Sequence, residues 1–280
     1  VVTPYSLFLL IWRLYKAGEF HGEPVSKRAE RPDEASFNYF RRQLLKDRYL
    51  RPDQDFEKAV YRVSDVPDGT AEEITALVNP FCYLSHLSAM QRYGLTTRAP
   101  EALTLSVPWA VDREQKESED FGAPASPDEF RVRLFEAPLP KKVRGRLVSL
   151  HSTKRTPVVK PIRGSAARIA SVGETFVQML DRPELCGGMA HIVAVWDEHA
   201  RTYAEDIISA VDRATEKIIK VRAGYLLQER LGIGDPRVEA WSQFAQRGGS
   251  RRLDPSRPYV NRYSEKWMIS LNASNTSDSP

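Results

Sequence analysis

Between Pro4 and Ala17 apolar side chains fall almost all round a helical wheel, with Leu7, Phe8, Leu10, Ile11 and Leu14 joined by Trp12 and Tyr15. A helix with so little polar surface has to be covered on most sides, and Gly18 supplies its stop. A short helical turn is expected over 25–29. Pro32-Asp33-Glu34 then opens a further helix running to about Asp47, its acids at the positive end of the dipole. Phe37, Phe40 and Leu44 repeat at the 3.6-residue period and mark its inner face. Tyr49-Leu50-Arg51 and Val60-Tyr61-Arg62-Val63 alternate as strands do, and the polar stretch from Pro52 to Lys58 reads as the loop of a hairpin. Helices followed by a hairpin predict a winged helix-turn-helix module over residues 1–66.

Turn residues Pro67-Asp68-Gly69 mark a boundary, and residues 70–271 read as a larger domain, giving an α/β fold of the α+β kind. Helices are expected over 71–78 and 85–93, with a strand from Leu103 to Val107. Residues 112–128 have the composition of an acidic, mobile surface loop. Strands are expected at Arg131–Phe135, Leu147–His151 and Val158–Ile162. The remainder is mainly helical: Ser171–Asp181, Met189–His199, Tyr203–Leu231 as one helix or a broken one, and Pro236–Arg247, before a last strand at Arg262–Leu271 and a flexible tail over 272–280. Ser171 and Glu174 have the spacing of a capping box, and Pro183 ends the helix they start.

Length changes this picture little, since 280 residues fit two domains. No apolar run approaches the ~20 residues needed to cross a bilayer, so no membrane partner is expected. Two cysteines, Cys82 and Cys186, have no Cys or His at metal-ligand spacing; they fit buried apolar thiols in a reducing, cytoplasmic setting. Catalytic patterns fare no better. His191 and His199 are spaced unlike an HExxH pair, His86 reads as a packing or capping residue, and Gly232-Ile233-Gly234 follows a helix instead of a strand. Gly248-Gly249-Ser250-Arg251-Arg252 lacks the strand and helix of a phosphate loop. The expectation is a protein that is not an enzyme, with no catalytic residues, no metal and no cofactor.

Charge adds the candidate chemistry. The net charge is only +4, but cations crowd residues 131–168, opposed there by Glu136 alone. Lys141, Lys142, Arg144, Arg146, Lys154 and Arg155 are the candidates for contact with DNA, RNA or an acidic protein. A solvated basic sheet face, or masking by the acids of 112–128, is the competing reading. On the helix after Asp33 the face opposite Phe37 carries Tyr39, Arg42 and Lys46, with Ser36, Asn38 and Gln43 on its shoulders. Arg can bridge the two acceptors of guanine, Asn or Gln can pair with adenine, and Ser, Tyr or Lys can hold phosphates. Lys27, Arg28 and Arg31 precede it where backbone contact is usual. The hairpin loop is less suited: Asp53, Asp55 and Glu57 repel phosphates and leave wing contact to Arg51, Lys58 and Arg62.

Two stretches go further than composition. Tyr83-Leu84-Ser85-His86-Leu87-Ser88-Ala89-Met90-Gln91-Arg92-Tyr93-Gly94-Leu95 resembles the Tyr-x-Ser-x-Leu-Ser-Ala-(x)4-Gly-Leu signature of the AbiEi-like antitoxins, and the run from Arg168 to Gly188, ending Arg182-Pro183-Glu184-Leu185-Cys186-Gly187-Gly188, resembles that family's helix and RPELxGG segment. The resemblance implies a phage-defence protein of a type IV toxin–antitoxin system. Its N-terminal domain would bind the double-stranded promoter DNA of its own operon as a repressor, and its C-terminal domain would counter a nucleotidyltransferase-like toxin, functionally or by direct binding. The other class is a stand-alone transcription regulator whose C-terminal domain senses a ligand. Neither fixes an oligomeric state or an operator sequence.

Overall fold

The computed structural model describes residues 1–27, 29–56, 60–246 and 251–273. It divides into two compact units, one of Val1–Cys82, Ser106–Arg155 and Ile162–Ala167, the other of Tyr83–Leu105, Thr156–Pro161 and Arg168–Pro280. The expected boundary at Pro67-Asp68-Gly69 is therefore corrected. Asp68 is held by Arg62 at 3.0 Å and by Arg144 at 2.7 Å, so the turn is tied into the first unit instead of linking two domains.

In the first unit, α1 (Pro4–Ala17) starts at a capping box between Thr3 and Ser6 and stops at Gly18, whose φ of 74° is left-handed. Tyr5, Leu7, Phe8, Leu9, Ile11, Trp12 and Tyr15 are buried, while Leu10 stands 56% exposed on the outer side. The helical turn expected over 25–29 is absent among the described residues. The chain instead makes a small antiparallel hairpin, β1 (Glu19–Phe20) with β2 (Glu23–Pro24). His21 and Gly22 both have positive φ, 51° and 81°, which is what a tight primed turn demands. Helix α2 (Glu34–Lys46) follows, and β3 (Leu50–Pro52) pairs with β4 (Tyr61–Val63) in the register Leu50 to Val63. Helix α3 (Ala71–Val78) closes this stretch, capped by Thr70 and Glu73.

The other parts of the first unit depart furthest from expectation. Residues 112–128 are not simply a mobile loop, because α5 (Arg113–Phe121) occupies their first half. Phe121 turns inward and meets Tyr5, Phe8 and Trp12 with ring centroids 5.3–5.9 Å apart. Arg131–Phe135 is no strand: the Leu134 N–H donates to the Glu117 carboxylate at 2.7 Å, a side chain doing what a neighbouring strand would do. Strand β7 (Lys142–Val143) turns back into β8 (Arg146–Thr153), and β8 lies beside the end of β6 (Leu103–Pro108).

The second unit begins with β5 (Tyr83–Leu84) and α4 (His86–Arg92), continues into the first residues of β6, and returns with β9 (Val159–Pro161) and β10 (Arg168–Ala170). The strand order is β6-β5-β10-β9, with β10 parallel to β5 and antiparallel to β9, so the fold is α/β with a mixed sheet. Helices α6 (Val172–Asp181), α7 (Met189–His199), α8 (Ala204–Arg213) and α9 (Lys217–Gly224) then gather around Phe176, Leu180, Trp196, Ile219 and Leu226. The helix expected over Tyr203–Leu231 breaks at Ala214, which is extended, and ends in a π-helical turn over Tyr225–Arg230. Helix α10 (Pro236–Ala240) starts at an Asp235 cap, and the last expected strand is a hairpin of β11 (Tyr263–Ser264) and β12 (Ile269–Ser270). Among the described residues no helix is long and apolar enough to cross a membrane.

Candidate nucleic-acid interface

Helix α2 owes its start to Asp33, whose carboxylate accepts the Ser36 N–H at 2.8 Å while the Ser36 hydroxyl accepts the Asp33 N–H at 2.9 Å. Those Ser36 bonds hold the Asp33 carboxyl below its ordinary pKa. Ser36 is thus spent on the cap and is not free for a phosphate. Phe37 is buried and packs edge-on against Phe8 at 5.8 Å, with Phe40 and Leu44 partly buried beside it. That anchoring points the other face outward: Tyr39 is 55% exposed, Arg42 and Lys46 are exposed, and Asn38 is partly covered. Arg42 Nε donates to the Asn38 carbonyl at 3.1 Å, which stands the guanidinium along the helix. Lys27 donates to the Tyr15 carbonyl at 2.9 Å and so serves the end of α1. Arg28 lies outside the described residues.

The exposed basic surface runs beyond the helix. Arg48, at a left-handed φ of 62°, Tyr49, 59% exposed, and Arg51 on β3 follow Lys46 on the outside of the same unit. Alternation in the sequence puts Tyr49 and Arg51 on a strand and gives Arg48 no role. Turn conformation, not any periodicity, places Arg48 and Tyr49 there.

Of the hairpin-loop acids, Asp53 and Asp55 are placed differently from the expectation that they face outward, while Glu57 and Lys58 lie outside the described residues. Asp53, whose side chain is 0% exposed, meets Arg144 at 2.6 Å, Asp55 pairs with the same guanidinium, and the Arg144 N–H donates to Asp55 at 2.9 Å. Burial raises the Asp53 pKa, but the bonds from Arg144 and from the Asp55 N–H outweigh it and hold the carboxyl below its ordinary value. Arg144 is pushed up by the same contacts. Arg144 is therefore corrected as a candidate for an external polyanion, since its charge is already satisfied inside. Arg146 is likewise turned to Glu72, at 3.2 Å.

Masking reaches further along the basic segment. Arg131, 4% exposed at its side chain, pairs with Glu129 at 2.9 Å and lies over the Trp12 and Phe121 rings, and Arg133 pairs with Glu117 at 2.7 Å. What remains outward of the predicted set is Lys141, Lys142 and Lys154, the last over the exposed Trp109 ring at 4.9 Å. Arg155 is partly buried.

Both motif stretches lie in the second unit and build its interior. The His86 N–H donates to Gln178 at 2.8 Å, its ring sits 2.9 Å from the Ser85 hydroxyl, Ser88 accepts the Thr104 N–H at 2.9 Å, and the Tyr93 hydroxyl donates to the Ala170 carbonyl at 2.8 Å. Ala89 and Met90 are fully buried. Gly187 and Gly188, at φ of 87° and 86°, turn the chain from the Pro183–Cys186 helical turn into α7. Burial pushes the Cys186 thiol up, so it stays protonated and unreactive. His191 is lowered by burial and by Arg98 and shares a contact with Thr96 at 3.0 Å. Gly232 takes a left-handed φ of 64° at a helix stop, and Gly248–Ser250 lie outside the described residues. Among the described residues no group of His, Cys, Asp and Glu could hold a metal ion.

No protein-family model and no curated protein matches the chain. Among solved structures the chain is similar to the RV2827C protein from Mycobacterium tuberculosis, at a TM-score of 0.48 and 15% identity, over 96% of this chain and 85% of that one.

Proposed function

We propose that the protein is the antitoxin of a type IV toxin–antitoxin system, acting in the cytoplasm as a DNA-binding repressor of its own promoter and countering a nucleotidyltransferase-like toxin. In this reading α1, α2 and the β3–β4 hairpin act as a winged helix whose α2 enters the major groove. The observation that carries it is the two-sidedness of α2: Phe37 is locked into an aromatic core, and Tyr39, Arg42 and Lys46 stand outward without an ion pair to any described residue. A helix held on one side and cationic on the other can place a guanidinium against base edges without reorganising. The antitoxin half of the proposal rests on the resemblance of the Tyr83–Leu95 and Arg168–Gly188 stretches.

Arg42→Ala is expected to cost about 1–3 kcal/mol of binding to the upstream duplex if its contact to a base is bidentate. Lys46→Ala weakens specific and unrelated duplexes alike. Gel-shift titration decides it: a folded Arg42→Ala/Lys46→Ala protein that binds as tightly as the parent ends the major-groove reading. Growth after induction of the neighbouring reading frame, with this chain supplied or withheld, tests the antitoxin half.

A further inference from the structure

The first unit sorts its charges. Three carboxylates that the sequence places near the hairpin, Asp53, Asp55 and Asp68, converge on Arg144, and Arg62 takes a second contact to Asp68. The cations of the neighbouring stretch, Arg42, Lys46, Arg48 and Arg51, are left outward. Arg144 can reach all three acids because it is the first residue of the β7–β8 turn, where it and Gly145 have positive φ of 50° and 76°. An arginine in that backbone region is unusual, and asparagine or glycine would fit the turn with less strain. What arginine adds is a planar fork with five donors, enough for several carboxylates at once.

We infer that Arg144 is a positioning residue for polyanion binding: it gathers Asp53 and Asp55 of the β3–β4 hairpin loop, and Asp68 of the turn that follows β4, onto its guanidinium and so leaves the surface from α2 to β3 net cationic. The inference rests on the DNA-binding reading above and adds a residue far from α2 in sequence. For Asp53 and Asp55 it also removes the conflict between an acidic wing loop and a phosphate backbone, because both face the guanidinium. Losing Arg144 would not merely remove one positive charge. It would release carboxylates toward the ligand, where like charges repel.

Binding of the full-length chain to the duplex upstream of its own reading frame, and to an unrelated duplex, is measured against salt for Arg144→Met, for Arg144→Met/Asp53→Asn/Asp55→Asn and for Arg42→Ala/Lys46→Ala. Arg144→Met is expected to weaken both duplexes about tenfold at low salt, and the triple variant to return within about twofold of the parent, since neutral isosteres can replace a buried ion cluster. A purely structural role gives no such rescue. Should Arg144→Met fail to fold, Arg144→Lys keeps the charge without the fork, and a loss of about threefold, relieved by adding Asp55→Asn, is then expected. Parent-like affinity of Arg144→Met or Arg144→Lys, or a folded triple variant as weak as Arg144→Met, overturns the inference while leaving DNA binding in place. Failure of the parent itself to bind either duplex overturns the DNA reading, and the inference with it.

Discussion

At Asp53 a carboxylate with no exposed side chain keeps its charge because the Arg144 guanidinium and the Asp55 N–H are aimed at it. Its folded pKa lies below the ordinary 3.8, so it adds stability above that value and gives it up as pH falls through the folded one. Urea unfolding of the parent is expected to lose stability more steeply than that of Asp53→Asn as pH falls below about 4. Equal slopes would mean that the carboxyl titrates alike in both states. Single atoms also limit packing. A Cβ on Gly173 would lie 2.1 Å from the Asp206 carbonyl oxygen, and one on Gly224 would lie 2.1 Å from the Trp267 ring. Backbone cannot yield as a side-chain tip can, so Gly173→Ala is expected to cost about 1–3 kcal/mol or more, read as a lowered urea midpoint at unchanged slope.

Among the elements, α5 best shows what composition hides. Its sequence, Arg-Glu-Gln-Lys-Glu-Ser-Glu-Asp-Phe, looks solvated, yet Glu117 and Phe121 are buried and the remainder is the polar outer face. An N-terminal fragment of Val1–Val66 would lack Phe121 and Leu134, both part of the core built on α1. Phe→Ala in such a core costs about 3–5 kcal/mol, of the order of a small domain's entire stability. The fragment is expected to show no cooperative unfolding by circular dichroism, whereas one containing residues 1–155 keeps those contacts. A sharp transition in Val1–Val66 would refute this. The hairpin of β3 and β4, by contrast, follows from alternation alone, since each strand needs only its neighbour and the inward Leu50 and Tyr61.

Over the whole molecule, a net charge of +4 understates how selectively charge is used. Of the cations between Arg131 and Arg168, Arg133, Arg144 and Arg146 are paired with acids distant in sequence and Arg131 with Glu129 two residues before it, whereas Lys141, Lys142 and Lys154 stay outward. If a polyanion reaches that surface, reversing those lysines to Glu flattens the dependence of log affinity on log salt by about 0.9 for each phosphate released. Reversal of Arg144 or Arg146 instead damages the fold, and a salt slope unmoved by the lysine reversals returns them to ordinary solvated surface.

The sequence by itself determined the local features: the α1 and α2 spans with the Gly18 stop, the β3–β4 hairpin, the α6 start at Ser171 and its stop before Pro183, and the outward set Tyr39, Arg42 and Lys46. Each depends on contacts a few residues apart, where periodicity, capping and turn chemistry act directly. Tertiary structure alone decided that Asp68 is an anchor instead of a linker, that residues 106–155 return to complete the N-terminal core, and that Glu117 replaces a strand for Leu134. It also decided which cations remain free, because an ion pair such as Arg144 with Asp53 joins residues far apart in the chain. No local pattern encodes such a meeting; it exists only once burial has brought both charges out of water and made each the other's partner.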